Sequence, residues 1–83
     1  MQDYRLKAQN PEKGIYRWYE IKQAQDLLVG WSLIISYGRI GHKGQSKIYG
    51  FKTAEEKDKF LQKILKKRLT SERRLGCNYT FVD

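Results

Sequence analysis

Polar and apolar positions alternate along most of the first half of the chain, then give way to a helical period. Tyr4-Arg5-Leu6-Lys7-Ala8 alternates and predicts a short strand. Gln9-Asn10-Pro11-Glu12-Lys13-Gly14 holds the only proline and breaks the pattern as a turn or loop. Ile15 to Gln23 predicts a second strand rich in aromatic and β-branched residues. Its parity puts Ile15, Arg17, Tyr19 and Ile21 on one face, and Tyr16, Trp18, Glu20 and Lys22 on the other. Aromatic area on both faces implies partial cover on each. Trp31 to Tyr37 is a third strand, with Trp31, Leu33, Ile35 and Tyr37 against Ser32, Ile34 and Ser36. Such alternation indicates a sheet buried mainly on one side. The apolar connection Leu27-Leu28-Val29 is expected to fold back over the core.

After a glycine-rich turn, Gln45 to Phe51 predicts a fourth, antiparallel strand. Thr53 with Glu56 three residues later forms a capping-box signature. Ala54, Lys57, Phe60, Leu61, Ile64, Leu65 and Leu69 then recur at helical spacing. Acids stand in the first turns and bases near the end, as the helix macrodipole favours. Thr70-Ser71 ends this helix and leads into a short turn that Gly76 stops, and Tyr79 to Val82 adds a last strand or packs on the sheet. The expected architecture is α+β: residues 1–83 as one domain, an antiparallel sheet of four to five strands with one long amphipathic helix packed on it.

Length limits what such a domain can hold. A chain of 83 residues buries only ~60–65% of the surface it exposes when unfolded. A binding module fits that core better than a deep catalytic cavity does. The balance of 17 Lys+Arg against nine Asp+Glu leaves a net charge of +8, a field that favours nucleic acid, anionic lipid or an acidic protein as partner. No apolar run approaches the ~20 residues of a membrane span, and no secretory leader opens the chain. With a single cysteine, Cys77, this points to a reducing, cytoplasmic compartment.

Candidate chemistry gathers at Tyr37-Gly38-Arg39-Ile40-Gly41-His42-Lys43-Gly44-Gln45. Glycines there let backbone N–H groups approach an anion, and arginine, histidine and lysine stand between them. Arg39 can hold a phosphate bidentately, or can pair with a carboxylate such as Glu20. Tyr37 can stack on a sugar or base, or pack in the core beside Trp31, Leu33 and Ile35. Lys43, Lys47 and Lys52 flank the turn, and residues 36–52 contain no acid. Lys63, Lys66, Lys67 and Arg68, which Arg73 and Arg74 could extend, read better as a solvated helix end than as a second anion site.

Other chemistries find little footing. His42 lacks a partner at metal spacing, so neither metal nor cofactor is expected. Gly38, Gly41 and Gly44 match no nucleotide-binding fingerprint and precede a strand rather than a helix. No carboxylate pair or nucleophile–base set suggests an enzyme.

The order of these elements, and the motifs within them, resembles the WGR domain. Tyr37-Gly38-Arg39 stands where that family has its Trp-Gly-Arg triplet, and Ile40-Gly41 and Lys43-Gly44-Gln45 match the continuation. Arg17-Trp18-Tyr19-Glu20-Ile21 is similar to its aromatic strand motif, and the segment from Asp26 to Leu33 to its apolar connection. Phe51 and the helix from Ala54 complete a likeness that spans roughly Ile15 to Leu69. The resemblance implies nucleic-acid binding, as in the poly(ADP-ribose) polymerases, where the domain grips a DNA end. It implies contacts through the triplet's aromatic and arginine, Tyr37 and Arg39; with the basic turn, the expected nucleic-acid contacts are Tyr37, Gly38, Arg39, His42, Lys43 and Lys47, with DNA favoured over RNA. Tyr37 keeps a flat aromatic face in place of the family tryptophan. No polymerase region is present, so ADP-ribosyl transfer does not carry over. The alternative is a protein–protein interaction module that uses the sheet aromatics and the 27–29 loop to hold an acidic partner.

Overall fold

A computed structural model of the chain describes residues 3–26 and 30–82. Strands β1 (Tyr4–Asn10), β2 (Ile15–Asp26), β3 (Gly30–Arg39) and β4 (Gln45–Phe51) are followed by helix α1 (Ala54–Leu69), a single-turn helix α2 (Glu72–Leu75) and strand β5 (Thr80–Phe81). One turn of 3-10 helix, Pro11–Lys13, joins β1 to β2 where the proline was expected to break the strand. All neighbouring strands are antiparallel, in the order β4-β3-β2-β1-β5. The α+β expectation holds. β2 runs three residues beyond its expected end at Gln23, so β2 and β3 pair without a break from Arg17↔Arg39 to Asp26↔Gly30. The expected fold-back of Leu27-Leu28-Val29 lies outside the described residues.

One face of the sheet is covered and the other is open, as the strand alternation implies. Leu6, Ala8, Ile15, Tyr19, Ile21, Leu33 and Ile35 turn to the covered side and join Leu61 and Leu65 of α1 in the core. The opposite parity carries Arg5, Lys7, Trp18, Glu20, Lys22, Ile34 and Ile48, none of them buried. The capping signature is met on the threonine side: Thr53 Oγ1 accepts a hydrogen bond from the Glu56 N–H at 3.1 Å. α1 begins above β3 and β4, with Phe60 on Tyr49 and Phe51 at ring distances of 4.9 and 5.3 Å. Buried Lys57 lays its ammonium 4.6 Å from the centre of the Trp31 ring and pairs with Asp58 at 3.1 Å. The C-terminal half of α1 reaches β2, where the Arg68 guanidinium lies 4.6 Å from the centre of the Tyr19 ring.

Beyond α1 the chain hooks back under its own helix end. Ser71, 2% exposed, holds its Oγ within hydrogen-bonding distance of the Arg68 and Cys77 carbonyls, at 3.0 and 2.8 Å. The Asn78 side chain accepts from the Glu72 N–H at 2.8 Å, and the Tyr79 N–H donates to the Arg68 carbonyl at 3.0 Å. The hook inserts Tyr79 edge-on against Tyr19, 5.9 Å between rings, and sends Thr80–Phe81 to pair with β1. Both expected roles of the tail are thus met, packing by Tyr79 and strand addition by β5. Among the described residues, no helix is long and apolar enough to cross a membrane.

Leu33 is fully buried at the centre of β3. Replacing it with alanine removes apolar neighbours from each other's reach and leaves a cavity, so Leu33→Ala should cost about 2–5 kcal/mol in urea unfolding. A loss under about 0.5 kcal/mol would place the core elsewhere.

Candidate functional site

The glycine-rich turn is built around one indole. Trp18, on the open face of β2, points its Nε1–H at the backbone of the turn, 2.9 Å from the Arg39 carbonyl and 3.3 Å from that of His42. The His42 N–H closes the turn on the Arg39 carbonyl at 3.0 Å. Gly41, third of those four residues, has φ 86°, a backbone state that glycine adopts without steric cost. Gly38 and Gly44 pass each other beneath the indole. A Cβ on Gly44 would collide with the Tyr37 carbonyl and come within 2.6 Å of the Trp18 ring. A Cβ on Gly38 would stand 2.8 Å from the Gly44 Cα. The spacing of these two glycines therefore serves the close approach of two strands to a tryptophan.

This lock sends Tyr37 and Arg39 to the other face of the sheet. In the β2–β3 register Tyr37 stands opposite Tyr19, with rings stacked at 6.1 Å and 23°, and Arg39 stands opposite Arg17. Tyr37 is half-buried: it packs on the core edge, as one of its two expected roles requires, and part of its surface stays exposed. Its hydroxyl donates to Gln45 Oε1 at 3.3 Å. Arg39 does not pair with Glu20, because Glu20 belongs to the Trp18 face. Among the described residues, the one ion pair is Lys57 with Asp58, and neither Arg17 nor Arg39 has a carboxylate partner. Like charges directly opposite on neighbouring strands repel, so this pair suits an anion between or above the two guanidinium groups.

Three shallow grooves meet around these residues. The first, about 320 Å³, is lined by Gly14, Tyr16, Arg17, Tyr37, Gly38, Arg39 and Tyr79. The second, about 280 Å³, runs between β3–β4 and α1; Tyr37 forms one wall, with Lys47, Tyr49, Lys63, Lys67 and Arg68 among the others. A third, about 290 Å³, lies under the hook and shares Arg17 and Tyr79 with the first and Lys67 and Arg68 with the second. Shared walls make the three one trough, with Tyr37 at its middle and basic residues along its rim.

Arg68 is the most deeply set of these cations. Its guanidinium lies over Tyr19 and 5.9 Å from the centre of the Tyr79 ring, and its buried Nε has no hydrogen-bond partner. Burial raises the Tyr19 phenol above its usual 10.0, and the neighbouring Arg68 charge works the other way. Arg74 is anchored by its Nη2–H donating to the Lys67 carbonyl at the end of α1, a residue on the opposite side of the hook.

The trough gathers Tyr37, Gly38, Arg39 and Lys47 of the sequence-predicted set. His42 and Lys43 stand exposed on the turn, outside the three grooves. Arg17 enters without having been singled out, and Arg74, named from sequence only as an extension of the helix-end bases, enters with it. Lys63 and Lys67 are exposed, in keeping with the solvated helix end read from sequence, but together with half-buried Arg68 they also line the trough. Their signal was present in the helical period: Phe60, Lys63, Ile64, Lys67 and Arg68 continue the apolar stripe toward the C-terminus, and the parity of Arg17 matches that of Tyr19. Groups of three or more histidine, cysteine or acidic side chains placed to hold a metal do not occur among the described residues.

The model of the WGR domain family matches residues 2–73. The chain belongs to the WGR domain family. No curated protein and no solved structure matches it. WGR domains are in general modules of the nucleic-acid-binding type. In this WGR domain the triplet's aromatic, Tyr37, lies at the centre of the basic trough, and its arginine, Arg39, stands beside Arg17 at one end.

Gly44→Ala should push the turn away from Trp18 and cost about 1–3 kcal/mol, the range for overpacking. Thermal unfolding followed by tryptophan fluorescence measures the loss and reports the lock directly. An unchanged midpoint and emission spectrum would mean that the close approach is not maintained in solution.

Proposed function

We propose that this WGR domain is a non-enzymatic module that binds nucleic acid, DNA in particular, by seating its phosphate backbone along the trough around Tyr37. The observation that carries the reading is the uncompensated pair Arg17–Arg39, set across β2–β3 beside an exposed aromatic edge. Guanidinium groups take phosphate oxygens in pairs, and their planar forks suit that geometry better than lysine does. Lys47, Lys63 and Lys67 extend the positive rim as point charges on flexible stems. The exposed surface of Tyr37 offers a flat platform for a sugar or base, supported from behind by Tyr19.

Such an interface reads backbone rather than sequence. Phosphate contacts fix position and orientation, and base-edge contacts carry specificity. Helix α1 turns its apolar stripe to the sheet, and its exposed side opens with the acids Glu55, Glu56 and Asp58, which a groove lined by phosphates would repel. The preference for DNA over RNA rests on the family resemblance. A reducing, cytoplasmic setting suits the free thiol of Cys77.

Fluorescence anisotropy with labelled blunt duplex, nicked duplex and single-stranded DNA tests the reading. With about four phosphates neutralised, log affinity should fall with log salt at a slope near −3.6. Arg17→Ala with Arg39→Ala should weaken binding to every ligand and flatten the slope by about 0.9 for each phosphate left un-neutralised. Both side chains are exposed, so the double variant should fold normally by circular dichroism. Absence of binding at low salt, or an unchanged slope in the double variant, would overturn the reading.

A further inference from the structure

The sheet has two edges, and they differ. β5 closes one with two residues. β4 leaves the other open over seven, all but Phe51 exposed. Its register with β3 runs without a bulge from Trp31↔Phe51 to Tyr37↔Gln45, and it contains no proline. Natural sheets blunt such edges by shortness, bulges, proline or charge, because a row of free N–H and C=O groups is a template for another strand. Only one charge, Lys47, lies on this one.

The side chains along the edge define what would fit. On the open face Ile48 is 72% exposed, the most exposed large hydrophobic residue described, and it stands beside Ile34. On the α1 side Lys47 shares a groove wall with Lys63, and residues 36–52 carry no acid. We propose that the β4 edge takes up an extended, acidic segment of a partner protein as a sixth strand. Because side chains alternate along a strand, the segment would set acids toward Lys47 and Lys63 and apolar side chains toward Ile48. Charge decides for this occupant over a second copy of the chain: self-pairing would join two molecules of +8, with their lysine-bearing helices side by side. The edge shares Lys47 and Lys63 with the trough but not the Arg17–Arg39 pair that carries the nucleic-acid reading, so the proposal does not require nucleic-acid binding.

The probe is a capped peptide of alternating glutamate and valine long enough to span β4, titrated into the full chain and followed by amide NMR. Shifts should centre on Gln45–Phe51, with slowed solvent exchange for the amides that face outward. A peptide of the same sequence with alternate N-methylated amides should not bind. Ile48→Asp, at an exposed site where the fold should tolerate it, should weaken binding several-fold; Arg17→Ala with Arg39→Ala should retain it. Failure of the alternating peptide to bind, equal binding by the N-methylated peptide, or shifts centred on Arg17, Arg39 and Arg68 would overturn the proposal. So would a concentration-dependent dimer through β4 that the peptide does not dissociate.

Discussion

The register of β2 against β3 determines what the basic end of this molecule can do. It sets Tyr19 against Tyr37 and Arg17 against Arg39 on the helix side, and it leaves Trp18 on the open side facing Gly38. A slip of one residue would exchange the faces: Tyr37 and Arg39 would turn outward, away from Arg68 and α1. Two features hold the register. Tyr19, Ile21, Leu33 and Ile35 are buried and cannot turn to solvent cheaply. The Trp18 indole occupies the space that Gly38 and Gly44 leave open and hydrogen-bonds the carbonyls of the turn. The tryptophan that orders the turn thus stands behind the sheet, while the tyrosine available to a ligand stands in front of it.

Much of the fold was legible in the sequence because its periods are unambiguous. Strand alternation sorted the covered residues from the open ones, and Thr53 with Glu56 marked the start of α1 within a residue. The length of β2 was not legible, because Ala24, Gln25 and Asp26 continue the strand with neither the bulky apolar side chains nor the β-branched residues that would mark it. The hook was not legible either. Ser71, Asn78 and Tyr79 are ordinary turn and strand residues until Ser71 is seen buried between two carbonyls and Tyr79 beside Tyr19. Of the site, Tyr37, Arg39 and Lys47 could be found from the turn and its flanks. For Arg17, Lys63, Lys67 and Arg68 the strand parity and the helical stripe give the face, but their meeting around Tyr37, and the approach of Arg74, depend on the angle at which α1 crosses the sheet and on the register between strands, which local pattern does not specify. The choice between phosphate and Glu20 for Arg39 was open for the same reason. Only the pairing shows that the two lie on opposite faces.

The bases near the end of α1 answer to two fields at once. The C-terminal carbonyls of a helix carry partial negative charge, and Lys66, Lys67 and Arg68 offset it from the last turn. Arg74 adds a direct hydrogen bond to the Lys67 carbonyl. That role alone would be satisfied by flexible, fully solvated side chains. Arg68 instead lies against Tyr19 and Tyr79 with its Nε buried, and Lys63 and Lys67 line the groove that reaches Tyr37. Stacking on two rings restricts the guanidinium before any ligand arrives, which lowers the entropy lost on capturing an anion. The helix end and the strand end therefore form one positive surface, although they lie far apart in sequence.

The central claim is that this surface, on the helix side of the sheet, is where nucleic acid docks. Side-chain NMR of the arginine and lysine groups, recorded as a short blunt DNA duplex is added, tests it most directly. The account predicts that Arg17, Arg39, Lys63, Lys67 and Arg68 shift together with the Tyr37 ring, while Arg5, Lys7 and Lys22 on the open face stay in place. Shifts centred on Arg5, Lys7, Lys22 and Trp18 would contradict it, and would put the nucleic acid on the opposite side of the sheet.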